Sequence, residues 1–490
     1  MNYAVSRIVC FVAIVATIAI GATARGETVD TRIGMLSFTH GFATGYPTKE
    51  TVERLYDERD FQRACQAYLW ALPIVGMAQW QEQARTIIGV GDLDLALQVT
   101  FEDKLGVLTP NAVTPYLGSL IDLGKTGPLV IDVPAGPTAG MVDDFWQRPV
   151  GDLGLAGPDQ GTGGKYLLLG PGQDMSEPDG FHVLHSSTLN VLLGLRNLEP
   201  DPEKAARIQE KFMFYPYAQR ENPPANRVVQ SEGKKWSMSP PRGMQYWERL
   251  AEILNREPVQ ERDRIMMAML RPLGIEKGRP FQPDDRQRKI LTEAALVGEA
   301  MAKANDFDKR QMELSHYKEG VQWHLSLCLD PSQEADSYTQ LDERAAWFYE
   351  ATTTSKGMVT RTPGVGQVYL GSYKDKDGNW LDGGNTYRLH VPPNAPVKQF
   401  WSLTVYDVDT RSFVESEQRI PDRNSRQPDL VRNADGSVDL YVGPNPPKGF
   451  DKNWIQSAPS RAWFAYFRLY APTEPHFDRT WILPDFEKID

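Results

Sequence analysis

The sequence predicts an α+β chain, with a mixed helical and β N-terminal domain followed by an antiparallel β-sandwich. Three observations lead there. Residues 105–200 break into short apolar runs bounded by glycine and proline, the mark of strands and turns. Apolar residues recur at helical spacing in 61–72, 244–254 and 290–301. The last third returns to alternating, aromatic-rich runs with no long helix between them. That favours antiparallel pairing over a parallel sheet with crossover helices.

At 490 residues the chain is too long for one ordinary domain. The expected divisions are a signal over 1–24, a loose lead-in over 25–47, an α+β domain over 48–217, a helical linking region over 218–355 and the sandwich over 356–490. The signal rests on Arg7, an apolar run over 8–20 and the small-x-small pattern Ala22-Thr23-Ala24, with cleavage before Arg25. The run falls short of the roughly 20 residues of a spanning helix. The mature chain is therefore expected in the periplasm or secreted, with no membrane span. A net charge of −11 argues against nucleic acid and anionic membrane surfaces as partners. Cys65 and Cys328 remain after the signal; export permits a disulfide, and spacing leaves open whether they pair.

The elements follow in order. Helical signals begin near Thr48, and Asp57 is the expected N-cap of a helix through Gln81 or beyond, with Asp60 three residues on and Pro73 kinking or splitting it. Strands are expected at 116–123, 129–133, 165–169, 181–187 and 190–195. Asp201-Pro202 opens a helix to about Phe214. Residues 218–242 read as a loop or lid, and a last helix as 338–353. The tail supplies strands at 367–373, 387–391, 399–406, 438–442 and 462–470, with tight turns at Asp377-Gly378 and Asp435-Gly436.

Several motifs, in order, carry a family resemblance. In the first half these are Thr109-Pro110-Asn111, Tyr116, Asp122, Asp144-Phe145-Trp146 and Gly161-Thr162-Gly163-Gly164-Lys165-Tyr166. In the second they are Tyr387-Arg388-Leu389-His390-Val391-Pro392, Phe400-Trp401-Ser402-Leu403-Thr404-Val405-Tyr406-Asp407 and Arg468-Leu469-Tyr470-Ala471-Pro472. Together they resemble the exported bacterial proteins that pair domain of unknown function 1254 with domain of unknown function 1214. The resemblance implies a C-terminal sandwich of jelly-roll type, similar to sandwiches in some glycan-acting enzymes, and no settled chemistry. Two stretches depart from the family pattern: Asn453-Trp454-Ile455-Gln456 for Asn-Trp-Leu-Pro, and Glu417-Gln418-Arg419-Ile420 for Asn-Arg-Tyr.

Candidate sites are few. The glycine-rich stretch 157–172 has Asp159 and Tyr166 at the diagnostic P-loop positions and precedes a strand, so it is no nucleotide cradle. Lys165 and Tyr166 remain candidates for meeting a ligand there. Asp375-x-Asp377-Gly378-Asn379 reads as a turn, and His182 and His185 fall on opposite faces of a strand, so no metal site and no cofactor are expected. Asp122 and Asp144 are the candidate general acid and base, with Trp146 excluding water; the competing reading makes both acids turn or cap residues. Trp401, Tyr406, Trp463, Tyr466 and Tyr470 read as sandwich core, and Arg468 among them needs a partner, for which Asp407 is nearest. Tyr116, Trp146, Lys165, Tyr166, Tyr406 and Arg468 are the ligand-binding candidates. Two functions follow: an exported enzyme or former enzyme acting on a small or glycan-like substrate in an interdomain cleft, or a non-catalytic binding or assembly module of the envelope. Oligomerisation is left open.

Overall fold

The computed structural model describes residues 26–176, 178–310, 312–359 and 361–489. The expected cleavage residues Ala24 and Arg25 lie outside them. Two compact units are present, one ending at Asp60 and one starting at Phe61. In the first, Thr28–Thr31 pairs antiparallel with Gly34–Ser37, and the helix Lys49–Gln83 begins. Asp57 is not its cap: Thr48 fills that place, its hydroxyl accepting from Thr51 N at 3.4 Å.

The helix runs through Pro73 unbroken. Leu72, Ile74 and Val75 around it are fully buried, and that packing outweighs the hydrogen bond proline cannot make. No helix among the described residues is long and apolar enough to cross a membrane.

The second unit is α+β and built in layers. Its six-stranded sheet includes Tyr116–Asp122, Asn190–Asn197 and Thr138–Asp144 as successive neighbours. One face, with Leu117, Ile121, Val142 and Val191, packs on a four-stranded sheet through Leu129, Ile131, Tyr166 and Leu168. A second pair of sheets forms the C-terminal part. Trp401, Leu403, Val405, Phe467 and Leu469 of the five-stranded sheet meet Leu389, Val391, Leu440 and Val442 of the four-stranded one. Helices Met244–Arg256, Asp285–Asp308 and Leu341–Glu350 fill the space between the two sheet pairs. They share one core with Leu120 and Leu192 on one side and Tyr373, Tyr406, Phe464 and Tyr466 on the other.

This layering corrects part of the aromatic assignment. Along Trp463–Pro472 the side chains alternate. Trp463 and Phe467 lie in the sandwich core, as does Trp401. Tyr406 and Tyr466 face the helical layer instead. Both faces of this strand are covered, so all ten of its residues are buried and a near-continuous apolar run results. The helix opened by Asp201-Pro202 stops at Lys211, and Met213–Pro216 is a strand paired with Leu129–Val133. Burial of Phe212 and Phe214 in the sheet core explains the early stop, since no residue of the helix itself is buried.

Candidate functional site

The acids expected to act as a pair do not face one another. Asp122 ends its strand two residues after Leu120, which faces the helical layer; Asp144 follows Val142, which faces the sheet pair. Asp122 and Asp144 therefore project from opposite faces, on strands separated by Asn190–Asn197, about 10 Å apart. Asp122 caps the short helix Leu123–Thr126, accepting from Gly124 N at 3.1 Å, and pairs with Lys125 at 3.4 Å and Arg256 at 3.5 Å. Asp144 accepts from Arg148 N at 3.0 Å and Ser187 Oγ at 2.6 Å.

Trp146 is buried against Trp70, with the Arg344 guanidinium 5.7 Å from its ring centre. The neighbouring carboxyl that burial pushes well above the ordinary range is Asp143, fully enclosed with only Thr354 N, at 3.3 Å, against Oδ2.

Lys165 and Tyr166 also part company. Lys165 is half-exposed and pairs with Asp132 at 3.6 Å. Tyr166 is buried in the sheet pair and donates to Asp159. Asp159 also accepts from Gly154 N at 2.8 Å, so the glycine-rich stretch is folded round its own acid.

Three of the candidates do converge, together with the Thr109-Pro110-Asn111 stretch. Arg468 is 2% exposed. Its Nη2 donates to the Thr109 carbonyl at 2.8 Å, and its Nη1 to Thr404 Oγ1 at 3.0 Å. Thr404 passes the contact on, donating to Asp422 Oδ2 at 2.7 Å. The expected pair with Asp407 does not form: Asp407 is held by Arg461, at 2.7 Å between Nη2 and Oδ1. The reason is register, since Asp407 lies opposite Trp463 and Ser402 opposite Arg468. The Arg468 charge rests instead among phenol rings, 5.6 Å from Tyr369, 5.6 Å from Tyr406 and 5.2 Å from Tyr466. Tyr406 Oη donates to the Pro110 carbonyl at 2.6 Å, and Tyr116 Oη accepts from Asn111 N at 3.0 Å.

Around this floor stands a rim in which sequence reasoning found Tyr116 and missed Arg196 and Tyr369. Arg196, Tyr116 and Tyr369 are half-buried, with the Arg196 guanidinium 5.4 Å from the Tyr116 ring and bonded to Thr114 Oγ1 at 2.6 Å. Arg468, Arg196 and Tyr116 all bear electrostatically on Tyr470 and on Tyr369. The Tyr470 hydroxyl is buried and has no hydrogen-bond partner among the described residues. Burial pushes up the pKa of the Asp422 carboxyl, the acid that Thr404 links to Arg468.

A second polar cluster adjoins through Tyr466. Glu350, fully buried, accepts from the Tyr466 hydroxyl and from Tyr373 Oη at 2.8 Å. Lys309, 1% exposed, donates to Asp306 and to Tyr373 Oη at 3.1 Å. Burial, then the Glu350 charge, hold the Asp306 carboxyl well above its ordinary range. Burial works against the Lys309 cation, but Asp306 and Glu350 outweigh it and raise its pKa.

His324 borders this cluster, and burial, then Lys309, His316 and Lys374, bring its pKa down to about 3 against a weak opposing pull from Asp308. A depressed folded pKa means the unfolded chain takes the proton first. The stabilisation is whole above the ordinary histidine pKa of about 6.5 and is lost as pH falls towards the folded value. The urea midpoint is expected to fall between pH 6.5 and 4, and His324→Gln to remove about 1–2 kcal/mol of that fall; an unchanged slope in the variant contradicts it.

Comparison with known proteins places these two clusters in context. The family described as Protein of unknown function (DUF1254) matches residues 96–216, and that described as Protein of unknown function (DUF1214) matches residues 366–474. The order is that of the sequence motifs. Thr109, Tyr116 and Arg196 come from the first region, and Tyr369, Tyr406, Arg468 and Tyr470 from the second. No curated protein matches the chain. Among solved structures it is similar in fold to the VPA0106 protein from Vibrio parahaemolyticus, at 16% identity and a TM-score of 0.53, over 88% of this chain and 100% of that one. An uncharacterized protein from Burkholderia cenocepacia aligns at 11% identity and a TM-score of 0.40, over 89% and 96%.

Proposed function

We propose, for a chain that carries these two family regions in series, an exported protein that captures a small acidic molecule of sugar size where the regions meet. The observation that carries the reading is the Arg468 guanidinium among the rings of Tyr369, Tyr406 and Tyr466, with Arg196 against the Tyr116 ring and the Tyr470 hydroxyl left without a partner among the described residues. Guanidiniums in low-dielectric, phenol-lined surroundings attract a carboxylate or phosphate, and flat tyrosine faces suit an apolar or sugar body. Binding is favoured over hydrolysis by the carboxylates first considered, because Asp122 and Asp144 are engaged in separate structural contacts on opposite faces. The sandwich, in this reading of jelly-roll type, supplies a rigid floor.

Glucuronate titrated into the mature chain is expected to raise the melting temperature saturably. Arg196→Ala and Tyr470→Phe should each weaken binding about tenfold, the scale of one hydrogen bond to a charged group. Equal affinity in both variants, or no saturable response to glucuronate, galacturonate or succinate, contradicts the proposal.

A further inference from the structure

The motif Tyr387-Arg388-Leu389-His390 is not used by the junction. Its strand, Thr386–Val391, buries Tyr387, Leu389 and Val391 in the sandwich core. Alternation turns Arg388 and His390 to the outer face. There they line a concavity of about 370 Å³ with Lys376, Val321, Pro484, Asp485 and Glu487. That volume is within the range of small-molecule sites.

Each of the three basic groups is tied from one side by its own carboxylate. His390 Nδ1 lies 2.9 Å from Asp439 Oδ1, whose other oxygen accepts from Asn433 Nδ2 at 2.9 Å. Arg388 Nη2 lies 2.6 Å from Glu487 Oε2. Lys376 Nζ lies 3.1 Å from Asp377, on a turn closed by Asp375, which accepts from Asp377 N at 3.0 Å and Asn379 N at 2.9 Å. The turn is fastened to the concavity by Lys376 N donating to the Phe486 carbonyl at 2.8 Å.

The carboxylates let three basic groups gather without mutual repulsion and fix their directions, as outer partners do for ligand-binding groups. With Nδ1 taken, Nε2 is the His390 nitrogen left for a ligand. Arg388 keeps its remaining N–H groups and Lys376 its remaining ammonium protons. Of the two acids lining the concavity, Glu487 is engaged by Arg388. Asp485 accepts from Gln322 N at 2.7 Å, and burial raises its pKa. A tetrahedral oxyanion is the ligand that an arginine, a lysine and an oriented imidazole recognise together.

We propose that this outer face of the sandwich is a second site, in which Lys376, Arg388 and His390 bind a small phosphate-bearing molecule. It is separate from the junction and stands or falls independently of the reading given for that site.

The test titrates inorganic phosphate, and then glycerol 3-phosphate, into the full mature chain at constant ionic strength and pH 7. The readout is the His390 imidazole resonance, assigned by its loss in His390→Gln. A saturable shift in the millimolar range or below is expected, weakened at least tenfold in Arg388→Ala and in Lys376→Met. Both residues are solvent-exposed, so these variants should fold. Tyr470→Phe should leave the titration unchanged, which separates this site from the junction. Tighter binding of the ester assigns a phosphate monoester, and equal binding assigns free phosphate. No shift up to 20 mM of either probe (roughly the weakest binding of interest), or an undiminished response in Arg388→Ala, overturns the proposal.

Discussion

Lys309→Met is expected to lower the stability of the chain by about 3–5 kcal/mol at pH 8, the scale of a buried charge left without its partner. Lys309 and the two acids it serves, Asp306 and Glu350, are each at most 1% exposed, so water cannot take over the role of the ammonium. The methionine matches the length of the stem and fills the space, which confines the loss to charge and hydrogen bonding. The effect should shrink on acidification. Without the lysine, the folded pKa of Asp306 rises further above the unfolded value of about 4. The folded variant then holds more protons than the unfolded chain, and its stability increases as pH falls through that window. Adding Asp306→Asn to Lys309→Met should recover much of the loss at pH 8. Urea unfolding of the three proteins at pH 8 and pH 5 reads this directly. An equal loss at both pH values would assign the effect to packing instead of charge.

Arg468→Ala is expected to cost about 3–4 kcal/mol, from buried acceptors left unpaired at about 1–3 kcal/mol each together with lost packing. The Thr109 carbonyl loses its bond of 2.8 Å and Thr404 its partner at 3.0 Å. The Pro110 carbonyl keeps the Tyr406 hydroxyl, which limits the damage. Arg468→Lys should recover only part of the cost, because a point charge cannot reach both the Thr109 carbonyl and Thr404 with the fixed fork of a guanidinium. Asp407→Asn is the contrast. Its partner Arg461 is 40% exposed, so that change should cost about 1 kcal/mol or less. A large effect of Asp407→Asn with a small effect of Arg468→Ala would reverse the assignment of which arginine anchors the junction.

Much of this architecture is legible in the sequence because its signals are local. The strand Leu129–Val133 is bounded as expected by its flanking glycine and proline residues, and the alternation along Trp463–Pro472 correctly divides its two faces. The start of the first long helix near Thr48 is legible, but its cap is misread because Asp57 and Asp60 resemble one, whereas Thr48 makes the bond. The junction is only half legible. Tyr116, Tyr406 and Arg468 stand out as polar or aromatic residues in strands, but their meeting depends on the packing of regions about 300 residues apart. The choice of Asp407 for Arg468 fails because proximity within the strand sequence carries no information on register. The Glu350 cluster had a signal that could have found it: a single acid closes the apolar run Ala345-Ala346-Trp347-Phe348-Tyr349, and a lone lysine follows the helix Asp285–Asp308. Buried charges in such places need partners.

The central claim is that Arg196, Arg468 and Tyr470, drawn from the two matched regions, bind an acidic ligand. A crystal structure of the protein grown with glucuronate tests it most directly. The account predicts density for the carboxylate within hydrogen-bond distance of Tyr470 Oη and beside Arg196 and Arg468. A fully liganded crystal with glucuronate bound elsewhere, and the Tyr470 hydroxyl still unpartnered, would contradict it.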